Sequence, residues 1–241
     1  RQYSERAELI KEQLIKLENA CKDVKLSKRL KKVMKTILKV GNQMNSDDND
    51  NDNDNDNKSS SGGCSSGFSL DSLLKLQTAK AFDNKTTILS YGNMLIDRND
   101  QDCLEFPEDL AHLGNTAKVG LENLQSEKKL LQEELIKAIK VVEKETLRVG
   151  DANIDSSMVL FITQAEMVSK LLDDIMIQVQ STFLDLLAYF GEEQTLSSSD
   201  FFATLHKFIT EFVKERKKYL DKKRKNEKDV NAKKDSNSGL H

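Results

Sequence analysis

The sequence has very little that would break a helix. One proline, Pro107, and ten glycines occur in 241 residues, far fewer turn formers than the short, frequently turning strands of a β-sandwich or barrel require. Tryptophan is absent. The three cysteines, Cys21, Cys64 and Cys103, are odd in number and have no C-x-x-C spacing, so neither a disulfide framework nor a zinc site is indicated and a reducing compartment is the simple expectation. No secretory leader and no apolar run of membrane-spanning length is present. With Arg1 as its first residue, the chain is expected to be part of a longer cytoplasmic polypeptide. Catalytic signatures are missing too: His112 and His206 are far apart, no Ser, His and Asp constellation is suggested, and no glycine-rich phosphate loop occurs. The expectation is a non-enzymatic protein without cofactor or metal.

What remains is helical periodicity. With 37% hydrophobic residues the chain can bury a substantial core, and the predicted fold is all-α, an elongated bundle with long antiparallel heptad-patterned helices. Tyr3, Ala7, Ile10, Leu14, Leu17 and Cys21 alternate at four- and three-residue steps, as do Leu26, Leu30, Val33, Ile37 and Val40. The stretch GNQMN, residues 41 to 45, then reads as a helix stop with Gly41 at C′, or as half of a binding site. Ser69 and Asp83 are expected to cap two further helices, the first apolar nearly all round through Leu70, Leu73, Leu74, Leu76 and Ala79. Pro107 in FPEDL marks another helix start, with Glu108 and Asp109 complementing its dipole. Leu121, Leu124, Leu131, Leu135, Ala138 and Val142, interrupted by Lys128, form one long seam. Ile154, Met158, Phe161, Ala165, Val168, Leu172, Ile175 and Val179 form a second. The pair is expected to be antiparallel and to take a third helix as partner. Ser197 and Asp200 predict the capped start of a last helix with Phe201, Phe202, Leu205, Phe208, Ile209 and Phe212 inward.

Charge is unevenly placed. Residues 47–56 hold six aspartates, whereas residues 214–234 carry eleven basic and four acidic groups, a net of +7. The acidic run lies in a low-complexity Asp/Asn/Ser/Gly insertion at 46–66 that cannot bury enough apolar surface to order itself. It lacks the sixth-position glycine and twelfth-position glutamate of an EF-hand, so calcium binding is not expected. The basic stretch suits an acidic protein surface, nucleic acid or lipid headgroups. No aromatic interleaving supports nucleic acid, and residues 226–241 read as a disordered polar tail.

In order along the chain, GNQMN, GFSLDSLLKLQTAKAFDNKTTILSY, FPEDL, YFGE and DFF resemble the landmarks of the formin homology 2 domain, the actin-assembly module of formins. The resemblance covers most of the chain, with residues 1–225 as the C-terminal part of that domain. It implies an all-helical protein that nucleates actin filaments and stays on growing barbed ends as a head-to-tail dimer, one subunit's N-terminal lasso wrapping the other's post. Residues matching the lasso-receiving motif are Gly41, Asn42, Met44 and Asn45, with Gly67 and Phe68 nearby; Lys80, in TAKAFDNK, matches a lysine associated with actin contact. The implied partners are actin at the filament barbed end and a second formin subunit, the implied location the cytoplasm and cytoskeleton. The family's lasso, linker and much of its knob would precede Arg1. Heptad spacing alone fits equally a helical scaffold or tether without an actin role, and a membrane-surface module acting through residues 214–234 is a third class resting on charge.

Overall fold

A computed structural model describes residues 2–47, 70–76, 78–80, 86–116, 118–149 and 156–238, with side chains for all but 44–47, 71, 115, 149 and 229–238. Among these residues the fold is all-α: α1 Gln2–Leu26, α2 Lys28–Asp47, α3 Leu70–Lys75, α4 Ile88–Asn99, a 3-10 segment Gln101–Leu110, α5 Leu113–Thr116, α6 Leu121–Val149, α7 Ser156–Phe190 and α8 Ser198–Ser238. They form two compact units, Arg1–Lys25 with Ala111–Ala203, and Leu26–Leu110 with Thr204–His241. The expected caps Ser69 and Asp83, and the core position Ile154, lie outside the described residues, as does nearly all of the insertion at 46–66.

The first unit is built on α1, α6 and α7. The stripe Ala7, Ile10, Leu14, Leu17 and Cys21 is buried as its spacing predicts. Side-chain contacts fix the directions of the three helices. The Tyr3 hydroxyl donates to the Ala165 carbonyl (3.1 Å), Gln178 donates to Glu18 (2.8 Å) and Lys25 pairs with Asp185, so α1 runs parallel to α7. Arg6 pairs with Glu134, and Lys128 with Asp173; α6 is therefore antiparallel to α7, with α1 as the third helix. Lys128 interrupts the seam because its place is taken by that ion pair. On α7 the inward positions are Ala165, Leu172, Met176, Val179, Phe183, Leu186 and Leu187, whereas the predicted seam members Met158 and Val168 are exposed. The seven-residue row Ala165, Leu172, Val179 and Leu186 stays inward, and its companion row runs through Met176 and Phe183, one residue beyond the predicted Val168 and Ile175 row.

Helix ends in this unit are tightly specified. Gly191 has φ of 69° and the Glu192 amide donates to the Leu187 carbonyl (3.0 Å), a Schellman stop for α7 within YFGE. Ser197 accepts from the Asp200 amide (3.0 Å) and donates to its carboxylate (2.7 Å), the predicted cap of α8. The Leu121 amide donates to Ser198 Oγ (2.7 Å), while Ser198 donates through its own amide and hydroxyl to Glu122. A Cβ on Gly120 would lie 2.0 Å from Ser199 Oγ and 2.7 Å from Glu122 Oε2, so a larger residue there would displace members of this clamp. Phe201 meets Phe183 and Phe190 edge-on. His112 is structural, with Nδ1 2.8 Å from Asp23 Oδ2.

The second unit is organised by α2. Ser27 caps it, accepting from the Leu30 amide (3.0 Å); Leu26, expected on the α2 stripe, ends α1 instead and is 73% exposed. Leu30, Val33, Ile37 and Val40 are buried. Lys32 pairs with Asp100 (2.8 Å), and Gly92 sits against Ile37, where a Cβ would come within 3.3 Å of its side chain; α4 therefore lies antiparallel to α2 at close approach. The predicted helix start at Pro107 is not one. Pro107 lies inside the 3-10 segment, and Asp109 accepts from Ser27 (2.7 Å) and Arg29 (3.1 Å) rather than facing a helix dipole. In a 3-10 segment an amide at 107 would bond the carbonyl at 104; proline has no such N–H, and the Leu104 carbonyl accepts from Arg216 instead. From Thr204 onward α8 buries Phe208 and Phe212 and is pinned by Arg216 to the Leu104 carbonyl and Glu105, and by Tyr219 and Lys223 to Asp97. Its helix continues to Ser238, through the segment whose composition predicts disorder.

GNQMN does not end α2. The helix continues to Asp47, and Gly41 lacks the positive φ of a C′ residue. One glycine costs a helix interior only about 1 kcal/mol, too little to stop a helix whose preceding turns are fixed by packing. Because a Cβ at Gly41 would meet nothing within 4 Å, Gly41→Ala is expected to stabilise the chain by about 0.5–1 kcal/mol in chemical denaturation. A left-handed glycine would give a loss instead.

Asp97 is 8% exposed and accepts from Lys223 (2.8 Å), Tyr219 (3.1 Å) and Gln101 (3.3 Å). The Lys223 hydrogen bond, opposed by desolvation and aided by Tyr219, holds its carboxyl below the usual carboxylate range. A depressed carboxyl contributes stability that is complete above its unfolded pKa, about 3.9, and is lost as pH falls through the folded value. Asp97→Asn is expected to cost about 1.5–3 kcal/mol at neutral pH and to flatten the decline of stability below about pH 4, measured by denaturation across pH.

Candidate functional site

The antiparallel pairing of α2 and α4 determines where the motif residues lie. Ile37 faces Gly92, so the next turn of α2, carrying Gly41 and Asn42, runs toward the N-terminus of α4. Gly41 and Asn42 are half-buried, and Asn42 is engaged within the chain. Met44 and Asn45 continue the same helix. Gly67 and Phe68 lie outside the described residues. Nothing among the described residues requires glycine at 41: the backbone is helical and the space beside it is open.

Lys80 reaches the same end of the unit by a different route. After α3, which stops at Lys75 rather than continuing to Ala79, the Thr78 and Ala79 amides donate to the Lys75 carbonyl. Lys80 then forms an isolated antiparallel bridge with Thr87. The Ile88 amide donates to Ala79 (2.9 Å) and the Leu89 amide to Leu76 (3.3 Å). Thr87 is the N-cap of α4, accepting from the Ser90 amide at 3.2 Å. Backbone bonds at Lys80 and at the residues before it thus tie this part of the chain to the start of α4, while the Lys80 side chain is exposed. Sequence reading missed Thr87, although a threonine before the apolar run ILSY is a capping signal.

Among the described residues the arrangement places an exposed ammonium, Lys80, at the end of the unit toward which the last turns of α2 run. Reactive groups are scarce. Burial pushes the Cys21 thiol up to about 12, and burial with the Asp100 hydrogen bond pushes Cys103 up to about 11, so neither supplies a thiolate near neutrality. Among the described residues no group of three or more His, Cys, Asp or Glu is placed to hold a metal, and no helix is long and apolar enough to cross a membrane. A cleft of about 200 Å³ between α2 and α4 is lined by Lys32, Lys35 and Lys39 with Asp100.

Residues 1–213 match the Formin Homology 2 Domain family. The chain is similar to Formin-F of Dictyostelium discoideum, 30% identical over 148 residues, which are 61% of this chain and 12% of that protein. It is also similar to Formin-like protein 14 of Arabidopsis thaliana, 30% identical over 177 residues, 71% of this chain and 14% of that protein. Disheveled-associated activator of morphogenesis 2 of Mus musculus is 28% identical over 172 residues, 69% and 15% of the respective chains. The chain thus spans about an eighth to a seventh of the length of these curated relatives. The match over residues 1–213 of 241 identifies the chain as a member of the formin homology 2 domain family.

Proposed function

We propose that this chain is the actin-handling part of a formin, whose domain works as a head-to-tail dimer that nucleates filaments and follows their growing barbed ends. The observation that carries this reading is the family match over residues 1–213. In mechanism, Lys80 pairs with an acidic patch on actin. Its fixed backbone lowers the ordering cost of such a contact relative to a lysine on a free loop. The turn of α2 bearing Gly41, Asn42, Met44 and Asn45 receives the lasso of a second subunit. The open space at Gly41 lets an incoming backbone approach, and asparagine is a residue type whose amide can both donate and accept. Two subunits joined in this way each hold actin, one releasing while the other keeps hold, which raises the effective concentration of actin at the filament end without chemical catalysis.

Two measurements test the reading. In a seeded barbed-end elongation assay, Lys80→Asp is expected to weaken end binding about tenfold or more, with helicity unchanged, because reversing one member of a desolvated charge pair costs about 2 kcal/mol or more; unchanged end binding would remove Lys80 from the site. With a formin subunit carrying the family's lasso as probe, Asn42→Ala with Asn45→Ala should lower capture about tenfold and move the melting temperature little. Retained capture with a sharply lowered melting temperature would assign the pair to the fold alone.

A further inference from the structure

The family match ends at residue 213, yet α8 continues to Ser238. Phe212, Arg216, Tyr219 and Lys223 all point to one side of this helix. Phe212 packs edge-on against Phe106 at 5.0 Å, Arg216 bonds Leu104 and Glu105, and Tyr219 and Lys223 bond Asp97. Helical geometry places Lys214, Lys217, Lys218, Lys222, Arg224, Lys225 and Lys228 on the opposite side, within an arc of about 160° and along about 21 Å of axis. All seven are exposed. Lys214 and Lys218 pair with Glu211 and Glu215. Between Lys214 and Lys228 the arc holds one acid, Asp221, and no apolar side chain.

We infer that this stripe docks the second unit onto an anionic lipid surface. Its composition selects that partner. A protein interface needs a desolvated apolar or aromatic centre, and the arc has none. Nucleic-acid readers stack bases on aromatic rings and read base edges with forked donors; the arc has one arginine, and Tyr219 faces the other way, bound to Asp97. Six of the seven cations are lysines, compact point charges without a fork geometry to satisfy. Anionic headgroups in a fluid bilayer rearrange beneath a fixed row of such charges, so the row needs no matching pattern in its partner. Clusters of four to eight basic residues on a helix bind acidic lipid surfaces in this way. Anchoring of the opposite face holds the row outward, without insertion into the bilayer.

The test uses the whole chain and sedimentation with vesicles of phosphatidylserine and phosphatidylcholine, against vesicles of phosphatidylcholine alone. The chain is expected to bind only the former, and to lose binding as salt is raised. A triple variant, Lys222→Gln, Lys225→Gln and Lys228→Gln, should lower partitioning about fivefold per lysine, on the order of a hundredfold in all. A matched triple on the exposed surface of α6, Lys137→Gln, Lys140→Gln and Lys144→Gln, has the same net charge and should bind as the parent. Glutamine resembles lysine in helix propensity, and unchanged circular dichroism confirms the fold of each variant. Equal loss in both triples would reduce the effect to net charge, and absence of binding to the acidic vesicles would overturn the proposal. So would competition in which duplex DNA draws the chain off the vesicles at equal charge concentration.

Discussion

The buried face of α2, formed by Leu30, Val33, Ile37 and Val40, is the constraint on which the rest of the second unit depends. It packs against α4 and the 3-10 segment, where Gly92 allows close approach. Ion pairs at its edges, Lys32 to Asp100 and Arg29 to Asp102 and Asp109, fix its rotation and register. Surface pairs of this kind contribute little net stability individually; here they select one arrangement among those the apolar contacts would accept. Once α2 is fixed, its last turns must emerge beside the start of α4, and this pairing positions the turn that bears Gly41 and Asn42.

Lys80 depends on the same framework one step further out. Its position follows from the bridge to Thr87 and the flanking bonds from Ile88 and Leu89, all of which presuppose α4. A lysine on a short connection is thereby tied to the backbone of a helix start. The division of labour is common in binding proteins: an apolar scaffold supplies the stability, and the contacting groups sit at element ends where the chain is accessible.

The two units make different use of glycine. At Gly191 the positive φ ends a helix, and at Gly120 and Gly92 neighbouring atoms leave no comfortable room for a Cβ. Gly41 meets neither requirement, since it lies in a continuing helix beside open space. At Gly41, unlike the other three, the fold itself sets no requirement for glycine.

Much of the fold was legible in the sequence, because helical periodicity reports directly which side of a helix is apolar. The stripes of α1 and α2, the capped start of α8 at Ser197 and the antiparallel partnership of α6 and α7 all rest on that local signal. The candidate site was legible only as motif residues, through likeness to a family. Tertiary structure decided the rest. Gly41 stayed helical because packing of the preceding turns outweighed its weak propensity to stop. Pro107 lies within a 3-10 run because Asp109 is held by Ser27 and Arg29, some eighty residues earlier. Gly41 and Lys80 came to one end of a unit through the contact of Ile37 with Gly92. Each of these outcomes depends on residues distant in sequence, whose energies no local window contains.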